Sequence, residues 1–563
     1  MKKLLSSKLL ELKYKILSNP YLPLKKYDSA RPYIWNSGLK DIFDEYPNSP
    51  DREKTVIVYG LRSYVHHNLS MMEKTFSDCF RFQGANVYNL LCDGGLPSCD
   101  MYTFDSIDNQ KISCNFCTKS LPFYEKNYPN DYLHFSQYLS SAEKNELKEK
   151  IDKLSVDELL EFHYLGVKVS RHSKSSVAKY FADAFREEAP GHIDILRHSS
   201  YISCLGALVA KKVFDTKKPT HIFTLHGCYA TWGGFCEFMK NNGVEVYVYR
   251  KLFNPSMGYF DFPKWTADPQ DIQGELAWEK YKHTPLNSKQ KKMIDDFFEK
   301  KKSGKSDDYL IFFHNKTQND EKFQNLLEDK GKRKFVLYLH SLWDSGFEEA
   351  TSPAFKDHNS WVLETIAYFI DHPDIYLIIK PHPQEYSILE ENKKGAIALI
   401  TDKFGKLPEN VIFMEKEWSF TSYQLMHFGC ISITYYGTVG LESAFFKFPV
   451  LFGGFSPIVN AGCAPKVEKK EDYFALIENP QPLYDHHKTH FEIIERYVFF
   501  SYFSQAIRVD IYRSDKMYLD QECIDWNKLK DYNKFIKENP DMNRIVKLML
   551  DGKAVINEPE YFN

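Results

Sequence analysis

The sequence predicts an α/β protein built from two doubly wound, Rossmann-like domains that face a cleft, with a helical C-terminal tail. Two series of short apolar runs carry this prediction, because each run ends at glycine or polar residues and is followed by a stretch with helical spacing. Strands that alternate with helices are typical of a parallel sheet covered by helices on both faces. The chain has 563 residues, which is enough for two or three domains with sizeable cores.

The first α/β series is predicted to span 51–260, after an N-terminal helical extension at 1–50. Its elements are, in order, a strand at 55–60, a helix over 71–82, a strand over 87–91, a strand at 221–225, a helix over 234–239 and a strand over 244–249. This order is typical of one half of a doubly wound sheet.

A charged segment, 261–330, is predicted to be a helical linker region. Gly304-Lys305-Ser306 is similar to the end of a P-loop, but Glu299 occupies the upstream glycine position and no strand precedes it. A Walker motif is therefore rejected.

The second α/β series is predicted to span 331–485, and the helical tail at 486–563 is expected to pack back on the first domain. The predicted strands are 334–339, 375–380, 411–413, 431–434 and 450–452, and the predicted helices are 361–370, 422–428 and 440–446. The alternation again indicates a parallel sheet.

Composition narrows the class of protein. Hydrophobic residues make up 43% and aromatic residues 16% of the chain, which is typical of a folded protein. The formal net charge is -3, whereas duplex binding needs a concentrated basic surface. Nucleic acid is therefore not expected as a partner, and a local basic patch for an anionic acceptor stays open.

The N-terminal extension contains a basic amphipathic segment. Leu4, Leu9 and Ile16 recur at helical spacing, while Lys8 and Glu11 interrupt the apolar run that a signal peptide needs. We expect this helix to pack on its own domain, with peripheral membrane contact as the alternative. The 11 cysteines are an odd count that does not suit a secreted disulfide framework. A cytoplasmic location is predicted, with attachment at the inner face of the cell membrane as the alternative.

The strongest functional signal comes from two strand ends of the second series. The apolar run Leu377-Ile378-Ile379-Lys380 enters Pro381-His382-Pro383, where the prolines fix the backbone and stop the strand. Tyr436-Gly437-Thr438-Val439-Gly440 follows another strand and opens a helix, whose free N–H groups favour phosphate. If both strands belong to one sheet, the two motifs meet at a site suited to the phosphate of a nucleotide leaving group.

Each residue of this site has a predicted role. His382 is predicted to be catalytic and to donate to a phosphate or leaving-group oxygen; the alternative is a histidine that caps a sheet edge. Thr438 is expected to add a hydroxyl to the phosphate site, or to serve as the N-cap. Glu442 is expected to reach ribose hydroxyls. The predicted nucleotide-binding residues are Lys380, Gly437, Thr438, Val439, Gly440 and Glu442.

Two carboxylates compete for the role of general base. Asp93 follows a strand and precedes Gly94-Gly95, which suits removal of a proton from an acceptor hydroxyl; the alternative is a turn aspartate. Asp344 is the competitor. Trp343 beside it provides either a face for sugar stacking or ordinary core.

Further strand-end residues in the first series are expected to bind substrate. Arg62 is suited to bind a carboxylate or a phosphate through two hydrogen bonds. The alternative is that Arg62 is an ordinary surface arginine. His226-Gly227 is expected to contact donor or acceptor, or to make hydrogen bonds within its own turn.

Four cysteines form a local set. Cys114 and Cys117 have the spacing of a zinc knuckle, and Cys92 and Cys99 are spread wider than usual. A structural zinc is one interpretation, and four reduced, unrelated thiols are the other.

At these motifs the chain resembles bacterial capsule and surface polysaccharide glycosyltransferases of the GT-B architecture, best over 335–454. The resemblance rests on the strand-end segments 339–344, 380–383 and 434–442, with Pro449-Val450 after them. The His-Pro pair and the later helix start are similar to capsule Kdo transferases and, more distantly, to bacterial sialyltransferases, which use CMP-activated sugars. Glycerophosphate transferases of teichoic acid synthesis carry a similar Lys-Pro-His-Pro. The acidic pair of the sialyltransferases is absent, since Cys92-Asp93-Gly94-Gly95 offers one carboxylate.

The motifs and the resemblance together imply a glycosyltransferase that moves a sugar from a nucleotide donor, CMP-linked in the nearest families, to a capsule, O-antigen or related glycan, free or lipid-linked. No catalytic metal is required, because no Asp-x-Asp pair follows a convincing strand. The alternatives are a glycerophosphate or phospho-alditol transferase and a non-catalytic glycan-binding protein.

Overall fold

The computed structural model describes residues 45–60, 67–99, 131–181, 183–251, 258–266, 275–302, 321–340, 352–382, 395–414, 420–513 and 523–562. The chain divides into two compact units. Unit 1 comprises Met1–Ser173, Arg197–Trp265 and Ile507–Val555, and unit 2 comprises Lys174–Leu196, Thr266–Ala506 and Ile556–Asn563.

The strands fall where apolar, β-branched and aromatic residues cluster, and most are buried on both faces, as parallel strands covered by helices are. In chain order they are β1 (Thr55–Gly60), β2 (Asn86–Leu91), β3 (Tyr132–His134), β4 (His163–Tyr164), β5 (Val167–Lys168), β6 (His221–Leu225), β7 (Glu245–Lys251), β8 (Tyr259–Asp261), β9 (Lys334–Tyr338), β10 (Tyr376–Lys380), β11 (Val411–Phe413), β12 (Ile431–Thr434), β13 (Val450–Phe452) and β14 (Ile507–Arg508).

The helices alternate with these strands. In chain order they are α1 (His67–Phe82), α2 (Phe135–Tyr138), α3 (Ser141–Lys153), α4 (Val156–Leu160), α5 (Val169–Phe181), α6 (His192–Lys217), α7 (Tyr229–Asn241), α8 (Glu275–Tyr281), α9 (Ser288–Lys302), α10 (Glu321–Glu328), α11 (His358–Asp371), α12 (Ala396–Phe404), α13 (Ser422–His427), α14 (Thr438–Phe445), α15 (Pro457–Asn460), α16 (Lys470–Glu478), α17 (Gln481–Phe499), α18 (Tyr532–Glu538) and α19 (Pro540–Leu550). A π-helical turn, Phe500–Ser504, continues α17, and a 3₁₀ turn spans Pro559–Phe562.

Unit 1 contains a sheet with the order β14-β8-β7-β6-β1-β2-β3. The strands β3, β2, β1, β6 and β7 run parallel, whereas β8 and β14 add an antiparallel edge. The parallel part has the Rossmann order, in which the chain starts in the middle and reverses direction once. The reversal, or switch point, lies between β1 and β6.

Unit 2 contains a five-stranded sheet with the order β11-β10-β9-β12-β13, and all its pairings are parallel. Its switch point lies between β9 and β12. The predicted fold class, two Rossmann-like units with a helix-rich C-terminal part, is therefore confirmed. Ligands of open α/β sheets bind beyond the carboxyl ends of the strands at such a switch point.

Apolar side chains of the unit 2 strands form a core with α11 and α16. Phe335, Leu337, Ile379 and Ile433 are fully buried there, and so is Trp361 of α11. This packing fixes the strands, so their carboxyl ends are held at defined positions.

The C-terminal helices are shared between the units. The helix α17 packs on α14 within unit 2, whereas α18 and α19 pack on α1 within unit 1. Tyr532 of α18 donates to Oδ2 of Asp78 on α1 at 2.6 Å, and Lys74 binds the other oxygen of this buried carboxylate at 2.6 Å. The predicted tail, 486–563, is thus divided. Across the described residues, none of the helices combines the length and apolar character of a membrane span.

Candidate functional site

Three strand ends of unit 2 stop at the same level. Lys380 of β10 and Thr434 of β12 both pair with Tyr338 of β9, so the residues two positions further along lie in one layer. Those residues are His382, His340 and Tyr436. Because neighbouring strands lie about 4.8 Å apart, this layer places two histidines at the switch point.

His340 holds the end of β12. Its Nε2 accepts hydrogen bonds from the backbone N–H groups of Tyr435 at 3.1 Å and Tyr436 at 3.3 Å, and lies 3.0 Å from Oγ1 of Thr434. A backbone N–H can only donate, so Nε2 must be unprotonated. Burial, with the neighbouring His358 and His382, lowers the pKa of His340 well below its usual range, which keeps the ring in this form.

The helix α14 begins directly after this anchored strand end. Gly437 is its N-cap residue, with extended backbone angles and no side-chain cap, and Thr438 is the first helical residue. The alternative prediction that Thr438 is the N-cap is therefore wrong, because the Thr438 backbone is already helical. The first N–H groups of a helix have no partner within it, so this end is suited to an anion.

Two glycines make the close approach at this helix start possible. A Cβ on Gly437 would lie 2.6 Å from Cε1 of His340, and a Cβ on Gly440 would overlap the ring of Phe452. The first glycine therefore lets the turn close over the histidine, and the second lets α14 pack against the sheet.

His382 and Lys380 line the next strand end. Lys380 is buried and its ammonium lies 3.5 Å from the carbonyl oxygen of Phe420, while His382 is partly exposed. Burial, and then the charge of Lys380, lowers the pKa of His382 to about 4. At neutral pH the ring is therefore neutral and can donate one hydrogen bond beside a fixed positive charge.

The histidines of the site predict how stability depends on pH. In the folded protein burial lowers the pKa of His358 and of His382 to about 4, whereas the unfolded value is about 6.5. Between these values the unfolded chain binds more protons, so stability is complete above pH ~6.5 and falls as the pH drops towards 4. Urea unfolding at pH 8, 7, 6 and 5 should give equal midpoints at the first two values and lower midpoints below. A midpoint that does not fall between pH 7 and 5 would contradict these pKa shifts.

Glu442 makes hydrogen bonds within unit 2, and its predicted contact with ribose stays a prediction. Its carboxylate is buried and accepts from Nζ of Lys301 at 2.5 Å, from the hydroxyl of Tyr423 at 2.7 Å and from the hydroxyl of Tyr502 at 3.2 Å. The three partners belong to α9, α13 and the π-helical turn. Glu442 therefore ties α14 to three other elements of unit 2, and its oxygens point into that network.

In unit 1, Asp93 follows β2 as predicted and binds the start of α2. Its Oδ1 accepts from the backbone N–H of Ser136 at 3.1 Å, and its Oδ2 accepts from the Ser136 hydroxyl. These hydrogen bonds fit the alternative interpretation from the sequence, in which Asp93 is a turn aspartate. The role of Asp93 as general base stays a prediction.

His226 and Gly227 follow β6 at the switch point of unit 1. Gly227 has a φ of 67°, which favours glycine, and its carbonyl accepts from Nε1 of Trp265 at 2.9 Å. The His226 ring packs edge-on to Trp232, with centroids 4.9 Å apart, and its Nδ1 lies 3.0 Å from Sγ of Cys228. The predicted hydrogen bonds of this turn are present, and a substrate contact stays a prediction.

Five predicted site residues lie outside the described residues. They are Arg62, Trp343, Asp344, Cys114 and Cys117. Cys92 and Cys99 are half-buried, and the described part of the chain contains no group of three or more His, Cys, Asp or Glu side chains arranged for a metal. The structural zinc stays a prediction. Elemental analysis of protein purified without chelators should find about one equivalent of zinc if it is right.

A surface groove of about 530 Å³ lies at the amino-terminal edge of the unit 1 sheet. Lys54, Thr220 and Glu245, which line it, precede or begin strands β1, β6 and β7. Because ligands of such sheets bind at the carboxyl edge, we assign no function to this groove.

Sequence reasoning missed His340 as a site residue, although it belongs to a segment that carries the resemblance. The available signal was its position directly after a predicted strand, comparable to that of His382 after the strand at 375–380. His358 of α11, whose ring centroid lies 5.8 Å from that of His340, gave no comparable signal because it lies in a helix.

No protein-family model matches the chain, and no curated protein matches its sequence. Among solved structures, the chain is similar to the beta Kdo 2,4 transferase KpsC of Thermosulfurimonas dismutans, with 13% identity, TM-score 0.35 and coverage of 49% of this chain and 79% of that chain. It is also similar to a UDP-GlcNAc 2-epimerase of Neisseria meningitidis bound to UDP-GlcNAc, with 11% identity, TM-score 0.24 and coverage of 79% and 97%. A third is S. aureus MnaA in a co-structure with UDP, with 12% identity, TM-score 0.24 and coverage of 57% and 88%.

Proposed function

We propose that the chain is a glycosyltransferase whose unit 2 binds a nucleotide-activated sugar donor. The observation that carries the proposal is the start of α14, which has no side-chain cap and opens at the switch point of a Rossmann-ordered sheet. Helix N-termini in this position bind phosphate through backbone N–H groups and the helix dipole.

Lys380 and His382 add charge and a hydrogen bond to this site. The ammonium of Lys380 favours an anion, and the neutral ring of His382 donates one hydrogen bond to the leaving phosphate. A preorganised donor of this kind stabilises the charge that develops as the bond to the sugar breaks. A bound phosphate also favours protonation of His382, since it partly cancels the charge of Lys380.

The rest of the reaction follows the sequence predictions. The donor is proposed to be CMP-linked and the acceptor a capsule, O-antigen or related glycan. Arg62, His226 and Gly227 are proposed to bind substrate, and Trp343 is proposed to provide a face for sugar stacking. Asp93, with Asp344 as the competitor, is proposed to remove the acceptor proton. The mechanism requires no divalent metal.

Nucleotide binding by the purified protein tests the proposal. Titration calorimetry with CMP, UDP, GDP and CDP should show binding of at least one nucleotide. Thr438→Val should weaken that binding by about 1–3 kcal/mol, because a hydroxyl is lost at nearly constant volume. Thr401→Val is the matched control, since Thr401 is exposed on α12 and its hydroxyl bonds to the carbonyl of Ile397.

Binding of none of these nucleotides would overturn the proposal. If Thr438→Val binds the nucleotide as tightly as the natural protein, the Thr438 hydroxyl is not part of the site. The backbone N–H groups are then the phosphate ligands. Turnover of CDP-glycerol in place of nucleotide sugars would identify the glycerophosphate transferase, and binding without any donor turnover would identify the non-catalytic protein.

A further inference from the structure

A cysteine and a histidine meet at the switch point of unit 1. Cys228 lies between β6 and α7, two residues after His226, and its Sγ is 3.0 Å from Nδ1 of that ring. Both side chains are partly exposed. A thiol and an imidazole at this distance form the nucleophile and base arrangement of covalent catalysis.

The histidine is held in place by its surroundings. Its backbone N–H donates to the carbonyl of Tyr249 at 3.2 Å, and its ring packs edge-on to Tyr229 and Trp232 with centroids 5.3 and 4.9 Å away. The ring therefore keeps Nδ1 towards the sulfur, which leaves Nε2 to carry the proton of the neutral form.

The backbone on the other side of the sulfur also favours a thiolate. Cys228 is the N-cap residue of the 13-residue helix α7, and its own side chain makes no capping hydrogen bond. Negative charge is stabilised at such a position, and a cysteine that has both a helix N-terminus and an imidazole is typical of reactive thiols. Cys236, two turns along α7, is the contrasting case, because its burial raises the pKa of the thiol.

We propose that Cys228 and His226 form a thiolate–imidazolium pair that reacts with soft carbon electrophiles at the carboxyl edge of unit 1. The thiol proton moves to Nδ1 of His226. The thiolate then attacks the electrophilic carbon, an S–C bond forms, and the leaving group departs with the electron pair of the broken bond. This reactivity does not depend on the proposed sugar transfer.

Alkylation by iodoacetamide tests the pair in the full-length protein, with the modified peptides quantified by mass spectrometry from pH 5 to 10. The rate at Cys228 should rise with a midpoint below pH 7.5, whereas an ordinary thiol titrates near 8.5. At pH 6.5 the rate should exceed that of N-acetylcysteine by about fivefold, because the larger thiolate fraction outweighs the lower nucleophilicity of a low-pKa sulfur. Cys236 should stay unmodified while the protein is folded.

His226→Gln should move the midpoint at Cys228 upwards and lower the rate at pH 6.5 without lowering it at pH 9.5. His163→Gln is the matched control, since His163 is an exposed histidine of the same unit. If His226→Gln does not fold, the pH profile of the natural protein decides. A midpoint at or above 8.5 in the natural protein, or one that a folded His226→Gln leaves in place, would overturn the pair.

Discussion

Replacing His382 by alanine is expected to lower sugar transfer by about 10²–10³-fold at saturating donor, with the fold retained. His382 follows the buried strand β10, which pairs with the switch-point strand β9. Its neutral ring places an N–H donor beside Lys380. Loss of that donor leaves charge on the leaving phosphate without one of its partners. The measurement is kcat in a donor-saturated assay, with circular dichroism and the melting temperature as checks on folding.

His372→Ala is the matched control for this experiment. His372 precedes β10, whereas His382 follows it, so the two histidines lie at opposite ends of one strand. Its Nδ1 bonds to the carbonyl of Tyr368 at 2.6 Å, far from the carboxyl edge of the sheet. Transfer by His372→Ala should match that of the natural protein. If His382→Ala transfers sugar as fast as the natural protein, His382 has no catalytic role and only caps the edge of the sheet.

Glu442→Gln is expected to lower the free energy of unfolding by about 3–5 kcal/mol, the usual range when one partner of a buried ion pair is removed. Lys301 would then keep its charge without a carboxylate, and an amide cannot accept from all three present donors with equal geometry. Urea unfolding at pH 7.5 measures the loss.

Glu299→Gln provides the comparison, since Glu299 pairs with Lys302 on the exposed face of the same helix that carries Lys301. An exposed pair contributes about 0–1 kcal/mol, so this variant should unfold near the midpoint of the natural protein. If Glu442→Gln is as stable as Glu299→Gln but loses nucleotide affinity, the carboxylate belongs to the ligand site. That result would support the predicted contact between Glu442 and ribose.

The sequence predicts the sheets well because strand composition is a local property. The observed bounds of β1, β6, β11, β12 and β13 match the predicted strands residue for residue. The helix start at Gly437 is likewise a local signal, since glycines after a strand show where the backbone must pass closely. The strand β3 escaped prediction because Tyr132-Leu133-His134 is not the apolar, β-branched run that the equally short β11 and β13 show.

Side-chain partners could not be predicted where they lie far apart in the chain. Lys301 and Tyr502 are 141 and 60 residues from Glu442, and Ser136 is 43 residues from Asp93. Nothing in the local sequence distinguishes a carboxylate that binds a ligand from one that closes a contact within the core. The strand order supplies this information for His340, because it places that residue at the switch point.

The chain leaves unit 1 after Trp265 and returns to it only at Ile507. During synthesis, the face of α1 that contains Asp78 therefore emerges long before Tyr532 can cover it. At about 5–20 residues per second, translation from Trp265 to Leu550 lasts on the order of 15–60 s. Over that interval the nascent chain exposes the face of α1 that α18 and α19 later cover. A fragment that stops near Trp265 would keep this face uncovered, so soluble expression of unit 1 requires Ile507–Val555 to be supplied as well.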